Sequence, residues 1–210
     1  MHTNRIKTII FDLGGVYFTS GTQLTLGKLH ERYHIQDWRA LGRFFGSEPG
    51  RPGCSLRLGR ISMEEFERRF FERFGIREKD PTILRKIWFS NYVPYHSMSH
   101  VVETLNKNYR LVVFSGNIRE RVNFLNERYD FLKHFHDGVF SYEHGYNKSD
   151  EPFYEELLNH IECAPSEALL IDDNYETIKI GKEFGFNTIL FSFTEQLLKE
   201  LSKYDINIEI

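Results

Sequence analysis

The stretch "KTIIFDLGGVYF", residues 7–18, decides how the rest of the chain is read. Ile9, Ile10 and Phe11 form an apolar run with no polar alternation, the pattern of a strand buried on both faces. Gly14 and Gly15 then mark a tight turn, and between strand and turn stands a single carboxylate, Asp12. Strands buried on both faces belong to parallel sheets covered by helices, and in open sheets of that kind ligands bind beyond the carboxyl ends of the strands. Taken alone, Asp12 has a plainer explanation, since an Asp at a strand end often only shapes the turn.

Outward from this strand, the second half of the chain alternates strand and helix patterns. "RLVVFSG" (110–116) and "ALLIDD" (168–173) read as buried strands, with "DGVFSYEHG" and "NTILFSF" as further strands. Between them, "NIRERVNFLNERY", "EPFYEELLNHI" and "ETIKIGKEFG" carry helical spacing, the second with Glu151 and Pro152 at its start and the third closed by Gly185. "TEQLLKELSKY" reads as a last helix. This rhythm implies βαβ units: an α/β fold with a Rossmann-like parallel sheet and helices on both faces.

Residues 17–92 break the rhythm and are expected to be a helical cap inserted after the first strand, with the sheet resuming near residue 95. The expected division is a core of 1–16 and 93–210 and a cap of 17–92. Within the cap, "SMEEFERRFFERFG" opens with Ser62 and Glu65 at capping-box spacing and ends at Gly75. "KDPTILRKIWF" is expected to start with Asp80 as N-cap and Pro81 at the first helical position. "GSEPGRPGCSLRLGR" (46–60), with four glycines and three arginines, reads as a connection.

With 210 residues the chain can bury a substantial core. Its formal charge of −3 gives no global argument for a nucleic-acid partner, and no stretch approaches the roughly 20 apolar residues of a membrane helix. "MHTNRIK" shows no signal-peptide pattern, and Cys54 and Cys163 make no disulfide framework, so a cytoplasmic protein is expected. Nineteen phenylalanines point to an aromatic core or an aromatic-lined pocket.

Three strands end in polar groups: Asp12, Ser115 and the pair Asp172–Asp173. Adjacent carboxylates at a buried strand end repel one another, and a bound cation relieves that repulsion. In this order, "IIFDLGGV", "LVVFSGN", "NKSDEPFY" and "LLIDDNYETIKIGKEFG" resemble the four motifs of the haloacid dehalogenase-like hydrolases. The match runs from residue 6 to about 193 and is interrupted where that family places its cap. The resemblance implies a Mg²⁺-dependent phosphatase acting on a small phosphorylated metabolite. Asp12 would be the nucleophile that forms an aspartyl-phosphate. Mg²⁺ would be held by Asp12, the main-chain carbonyl of Gly14 and Asp173, with Asp172 supporting that shell. Ser115, the main-chain N–H groups near Gly116 and Asn117, and Lys148 would hold the phosphoryl oxygens.

The chain departs from the family where D-x-D is commonest, because Gly14 supplies no second carboxylate for general acid and base work. Two branches share that absence. Sugar-phosphate phosphatases read D-L-G-N-V, and 2-haloacid dehalogenases read D-x-Y-G-T and expel halide without a proton donor. This chain is nearer the first, and its Asp pair argues for a metal that dehalogenases do not use. Substrates with acidic leaving groups (sugar 1-phosphates, aryl or acyl phosphates) are therefore expected to turn over better than alkyl phosphates, unless the cap supplies a donor. His30, His34, Arg51, Arg57 and Arg60 are the cap groups considered. Ser149 replaces the proline common after the motif lysine, and Thr177 stands where Asn or Asp is common, with Glu176 a possible substitute. A non-catalytic binding module is a further alternative. "HERYH" (30–34) fits a zinc-protease pattern but has no third ligand beside it.

Overall fold

The computed structural model describes residues 5–208; positions 1–4 and 209–210, which the expected core boundaries include, lie outside the described residues. Strand β1 (Thr8–Phe11) is followed by five helices: α1 (Gly21–Tyr33), α2 (Trp38–Phe45), α3 (Pro52–Arg57), α4 (Met63–Phe74) and α5 (Ile83–Phe89). Then come α6 (Met98–Asn106), β2 (Arg110–Ser115), α7 (Arg119–Tyr129), β3 (Asp137–Phe140) and the single turn α8 (Ser141–His144). The chain finishes with α9 (Glu151–His160), β4 (Ala168–Asp172), α10 (Tyr175–Glu183), β5 (Asn187–Leu190) and α11 (Thr194–Ser202).

The strands form one parallel sheet in the order β3-β2-β1-β4-β5. β1 is central, with Ile10 opposite Val112 on one side and Leu170 on the other. Because side chains alternate along a strand, the sheet sorts its residues by parity. Ile10, Val112, Phe114 and Leu170 pack against Phe153, Tyr154 and Leu157 of α9. Ile9, Phe11, Leu111, Val113 and Ile171 face the other layer, which includes Val101 and Val102 of α6, Val122 of α7 and Leu197 of α11.

That second layer continues without a break into the helices that follow β1. Phe44, Phe45, Phe66, Phe70 and Trp88 belong to the same buried cluster as Ile9 and Phe11. Trp88 is fully buried, with Phe45 edge-on at 4.7 Å and Phe66 stacked at 5.5 Å between ring centroids. Truncating such a side chain to Ala costs about 3–5 kcal/mol. The chain leaves and re-enters the sheet layer through paired linkers. Thr19 N–H donates to Val93 O at 2.9 Å, and Tyr95 N–H donates to Tyr17 O at 3.0 Å.

Three local expectations change. The Gly- and Arg-rich stretch 46–60 is not all connection, because Pro52 sits at the first position of α3 and Arg57 Nη1 donates back to Phe45 O and Gly53 O, both at 2.9 Å. α5 starts at Ile83, since Asp80 Oδ1 instead accepts from Thr82 N and Oγ1 and forms a turn ahead of the helix. The sheet resumes at Arg110 rather than near 95, because Met98, Val101, Val102 and Leu105 have helical spacing and form the buried side of α6. By contrast, Ser62 Oγ does cap α4, accepting from Glu65 N at 3.2 Å, and Gly75 closes it at φ 65°. Among the described residues, no helix is long and apolar enough to cross a membrane.

Candidate active site

The parity that sorts the core also assembles the site. Asp12 and Asp172 continue the register of Ile10 and Leu170, whose side of the sheet is covered by α9. Lys148 lies in the loop just before α9, so its side chain comes up under both carboxylates. Its Nζ is 2.9 Å from Asp12 Oδ1 and 2.6 Å from Asp172 Oδ2, above the Phe114 ring. The lysine is held from behind: Tyr154 Oη donates to Lys148 O at 3.0 Å and to Thr177 O at 3.3 Å. A lysine that looks like a surface residue by type is thus largely enclosed, its side chain 15% exposed.

From the neighbouring strand, Ser115 Oγ donates to Asp12 Oδ1 at 2.9 Å. Asn117 supports it, with Nδ2 donating to Ser115 Oγ at 3.2 Å and Oδ1 accepting from Arg121 Nε at 2.8 Å. The main-chain N–H of Asn117 is not the free donor expected from the sequence: it donates to Ser141 Oγ at 3.0 Å. Gly116, which was expected to act with it, does line the site cavity.

Asp173 lies on the other side of Asp12, against Gly15. That glycine has φ +96°, and a Cβ there would run into the Asp173 carboxylate, so the turn needs Gly for both reasons. One carboxylate oxygen each of Asp12, Asp172 and Asp173 fall within 4.8 Å of one another. Among the described residues no other such group of three acidic, His or Cys side chains is found. Burial pushes the Asp172 carboxyl up to about 6. Asp173 is raised as well, by burial and then by the charge of Asp12. Burial works against the Lys148 ammonium, but Asp12 and Asp172 together outweigh it and hold its pKa above the ordinary lysine value. Three carboxylates facing one ammonium leave excess negative charge, and all the free donors are hard oxygens. That donor set fits a divalent cation of the Mg²⁺ type.

The cluster opens into a cavity of about 540 Å³. Asp12, Gly14, Lys148 and Asp173 form its strand-end wall. Ser47, Glu48, Pro49 and Arg57, all from the helical segment, line the same cavity. The Arg57 guanidinium is brought down to about 10, chiefly by burial and then by Arg121 nearby. Neither arginine has an ion-pair partner among the described residues. Arg121 also donates to Tyr92 Oη at 2.8 Å and lies over the Tyr92 ring, beside Gly14.

The other cap groups considered from the sequence lie elsewhere. His30 Nδ1 is 2.7 Å from Ile35 O and its ring lies on Trp38, while His34 ends α1 in the left-handed conformation, so the two do not form a metal pair. Arg51 and Arg60 line other concavities. Glu176 does border the cavity, together with Thr177 and the N-cap Asn174 of α10. Glu48, Tyr92 and Arg121 carried no sequence signal, because they are joined to the site only by tertiary packing.

A sequence model of the haloacid dehalogenase-like hydrolases matches residues 6–185. The chain is similar to the D-ribitol-5-phosphate phosphatase of Bacteroides thetaiotaomicron, 25% identical over 87% of this chain and 90% of that one. It is also similar to the flavin mononucleotide hydrolase 1 of Arabidopsis thaliana, 26% identical over 72% of this chain and 61% of that longer one. Among solved structures it resembles a HAD family enzyme from Bacteroides thetaiotaomicron in complex with magnesium and inorganic phosphate, with a TM-score of 0.74 at 19% identity over 89% and 94% of the two chains.

Proposed function

The chain belongs to the haloacid dehalogenase-like hydrolase family, and from that premise we propose that it is a Mg²⁺-dependent phosphatase of a small phosphorylated metabolite. The carrying observation is that Lys148 bridges Asp12 and Asp172 while Asp173 faces Asp12 from the other side. In this reading Asp12 Oδ attacks phosphorus and forms an aspartyl-phosphate that water then hydrolyses. Asp12, Asp173 and the main-chain carbonyl of Gly14 would hold Mg²⁺, which would supply the positive charge that lets a carboxylate meet a phosphate dianion. Asp172 anchors Lys148, and Lys148, Ser115 and the main chain at Gly116 bind the phosphoryl oxygens. Asn117 orients Ser115.

The substrate class we propose is a phosphorylated polyol or a nucleotide-like polyol ester. Flavin mononucleotide is itself a 5′-phosphorylated ribityl chain, so the two relatives are named for the same kind of ester, a primary alkyl phosphate. We also assign residues 17–92 as the cap and 1–16 with 93–210 as the core, because the chain leaves and re-enters the sheet layer through linkers paired at Tyr17–Thr19 and Val93–Tyr95. Cys54 and Cys163 stand as free thiols, in keeping with the cytoplasmic setting expected. The dehalogenase reading is disfavoured by the acidic cluster, and a non-catalytic module has no use for an ammonium locked between carboxylates.

A panel of phosphate esters assayed with and without Mg²⁺, beside Asp12→Asn, tests the proposal. Mg²⁺-dependent release of phosphate that Asp12→Asn lowers by at least about 10³-fold is expected. Release of halide from a 2-haloacid without Mg²⁺, or turnover untouched by Asp12→Asn, would overturn it.

A further inference from the structure

Gly14 leaves the strand-end wall without a second carboxylate at the position where the family usually carries one, yet a primary alkyl phosphate needs a proton delivered to its departing oxygen. The direction from which that proton must come is fixed by geometry. In a displacement at phosphorus the attacking and leaving oxygens are in line, so an attack from Asp12 sends the leaving oxygen away from the strand ends. Beyond the strand ends, the helical segment lines the same cavity with Ser47, Glu48, Pro49 and Arg57. The other carboxylates lining the cavity (Asp172, Asp173 and Glu176) all come from the end of β4 and the first turn of α10, on the nucleophile's side. Among the described residues lining the cavity, Glu48 is the carboxylate that the helical segment contributes.

Glu48 is also held in place. Its carbonyl accepts from Arg51 N–H at 3.2 Å, across a turn through Gly50 at φ +81°. Its carboxylate folds back over Gly46 so closely that a Cβ at position 46 would collide with Glu48 Oε2. Its charge is felt at the Arg57 guanidinium, which lines the same cavity.

We propose that Glu48 is the general acid and base of this enzyme, supplied from the helical segment in place of the carboxylate that Gly14 lacks. The inference rests on the phosphatase reading above. In the first step the bond between Asp12 Oδ and phosphorus forms, the bond from phosphorus to the ester oxygen breaks, and Glu48 gives its proton to that oxygen, which leaves as an alcohol. In the second step the Glu48 carboxylate takes a proton from water as the water oxygen bonds to phosphorus. The bond from phosphorus to Asp12 breaks, releasing phosphate and restoring the Asp12 carboxylate and the Glu48 acid.

The test compares wild type and Glu48→Gln, with Mg²⁺, on ribitol 5-phosphate, phenyl phosphate and 4-nitrophenyl phosphate. A positioned general acid contributes about 10²–10⁴-fold, so the loss in kcat/KM, which reports the first step, is expected in that range on ribitol 5-phosphate and shrinks as the leaving group becomes more acidic. With 4-nitrophenyl phosphate, Glu48→Gln should release one equivalent of nitrophenolate per enzyme in a burst and then slow, because the second step has lost its base. Adding Gly14→Asp to Glu48→Gln should recover part of the alkyl phosphate rate, since a Cβ at position 14 meets its nearest neighbour, Tyr92 Cε1, at an ordinary 3.6 Å. Gly46→Ala, which displaces the Glu48 carboxylate, should reproduce the same leaving-group selectivity. Equal loss of kcat/KM on all three esters, or no loss on any, overturns the role of Glu48. Wild-type turnover that Asp12→Asn abolishes upholds the phosphatase reading whichever way the Glu48 result falls.

Discussion

The two walls of the cavity are built by different means. On the strand-end wall, Asp12, Asp172 and Lys148 are each held by at least one fixed partner. Asp12 is fixed by Ser115 and Lys148, Asp172 by Lys148 and the main chain of Asn174, and Lys148 in turn by Tyr154. On the helical wall, Arg57 is fixed through one guanidinium nitrogen to carbonyls of its own segment, and Glu48 sits in an exposed loop. The first wall stores electrostatic organisation before substrate arrives, which is where rate acceleration in phosphoryl transfer comes from. The second leaves room for the part of the substrate that differs between enzymes of one fold.

Damage to the first wall should therefore fall on kcat and stability, and damage to the second, Glu48 apart, on KM and substrate choice. The largest effect in this contrast belongs to Lys148→Met. It removes the cation between two carboxylates, and kcat should fall by about 10²–10³-fold. Leaving those charges without their partner should also destabilise the fold by about 3–5 kcal/mol, read by urea unfolding. An unchanged unfolding midpoint would mean that water already screens the pair. Arg57→Ala comes next. Losing a charged hydrogen bond to the leaving group corresponds to about 1.5–3 kcal/mol, so KM for a polyol phosphate should rise roughly 10- to 100-fold with kcat much less affected. A fall in kcat alone would place Arg57 in the chemistry beside Glu48 rather than in substrate binding. The smallest effect is on the resting protein. Mg²⁺ at 100 times its Kd should stabilise wild type by about 2.7 kcal/mol, and Asp173→Asn should lose most of that gain. Equal stabilisation of both would place the ion elsewhere.

The same contrast explains what could be read from the sequence. Asp12, Ser115 and Asp172–Asp173 were legible because each ends a buried strand, and parallel strands bring their carboxyl ends together whatever lies between them. Lys148 was legible only through its spacing from Phe153 and Tyr154, and the structure gives that spacing its reason in the Tyr154 hydroxyl that grips the Lys148 carbonyl. α6 is short, and its buried Met98, Val101, Val102 and Leu105 stand directly ahead of the apolar run of β2, so in sequence the two merge into one returning segment. Glu48 and Arg57 come from irregular chain and a six-residue helix, where neither period applies and nothing in the spacing separates Arg57 from Arg51 or Arg60. Asn117 shows the opposite error, since a helix-start N–H that looks free in sequence is taken by Ser141, 24 residues away.

Catalysis by Asp12 requires a covalent bond between its carboxylate and the substrate's phosphorus. Rapid acid quench during turnover of a phosphate ester with Mg²⁺, followed by mass spectrometry of the peptides, looks for that bond. One added phosphoryl group is expected on the peptide that contains Asp12, absent from Asp12→Asn and without Mg²⁺. Steady turnover with no phosphoryl adduct on that peptide, or an adduct on another residue, would contradict it.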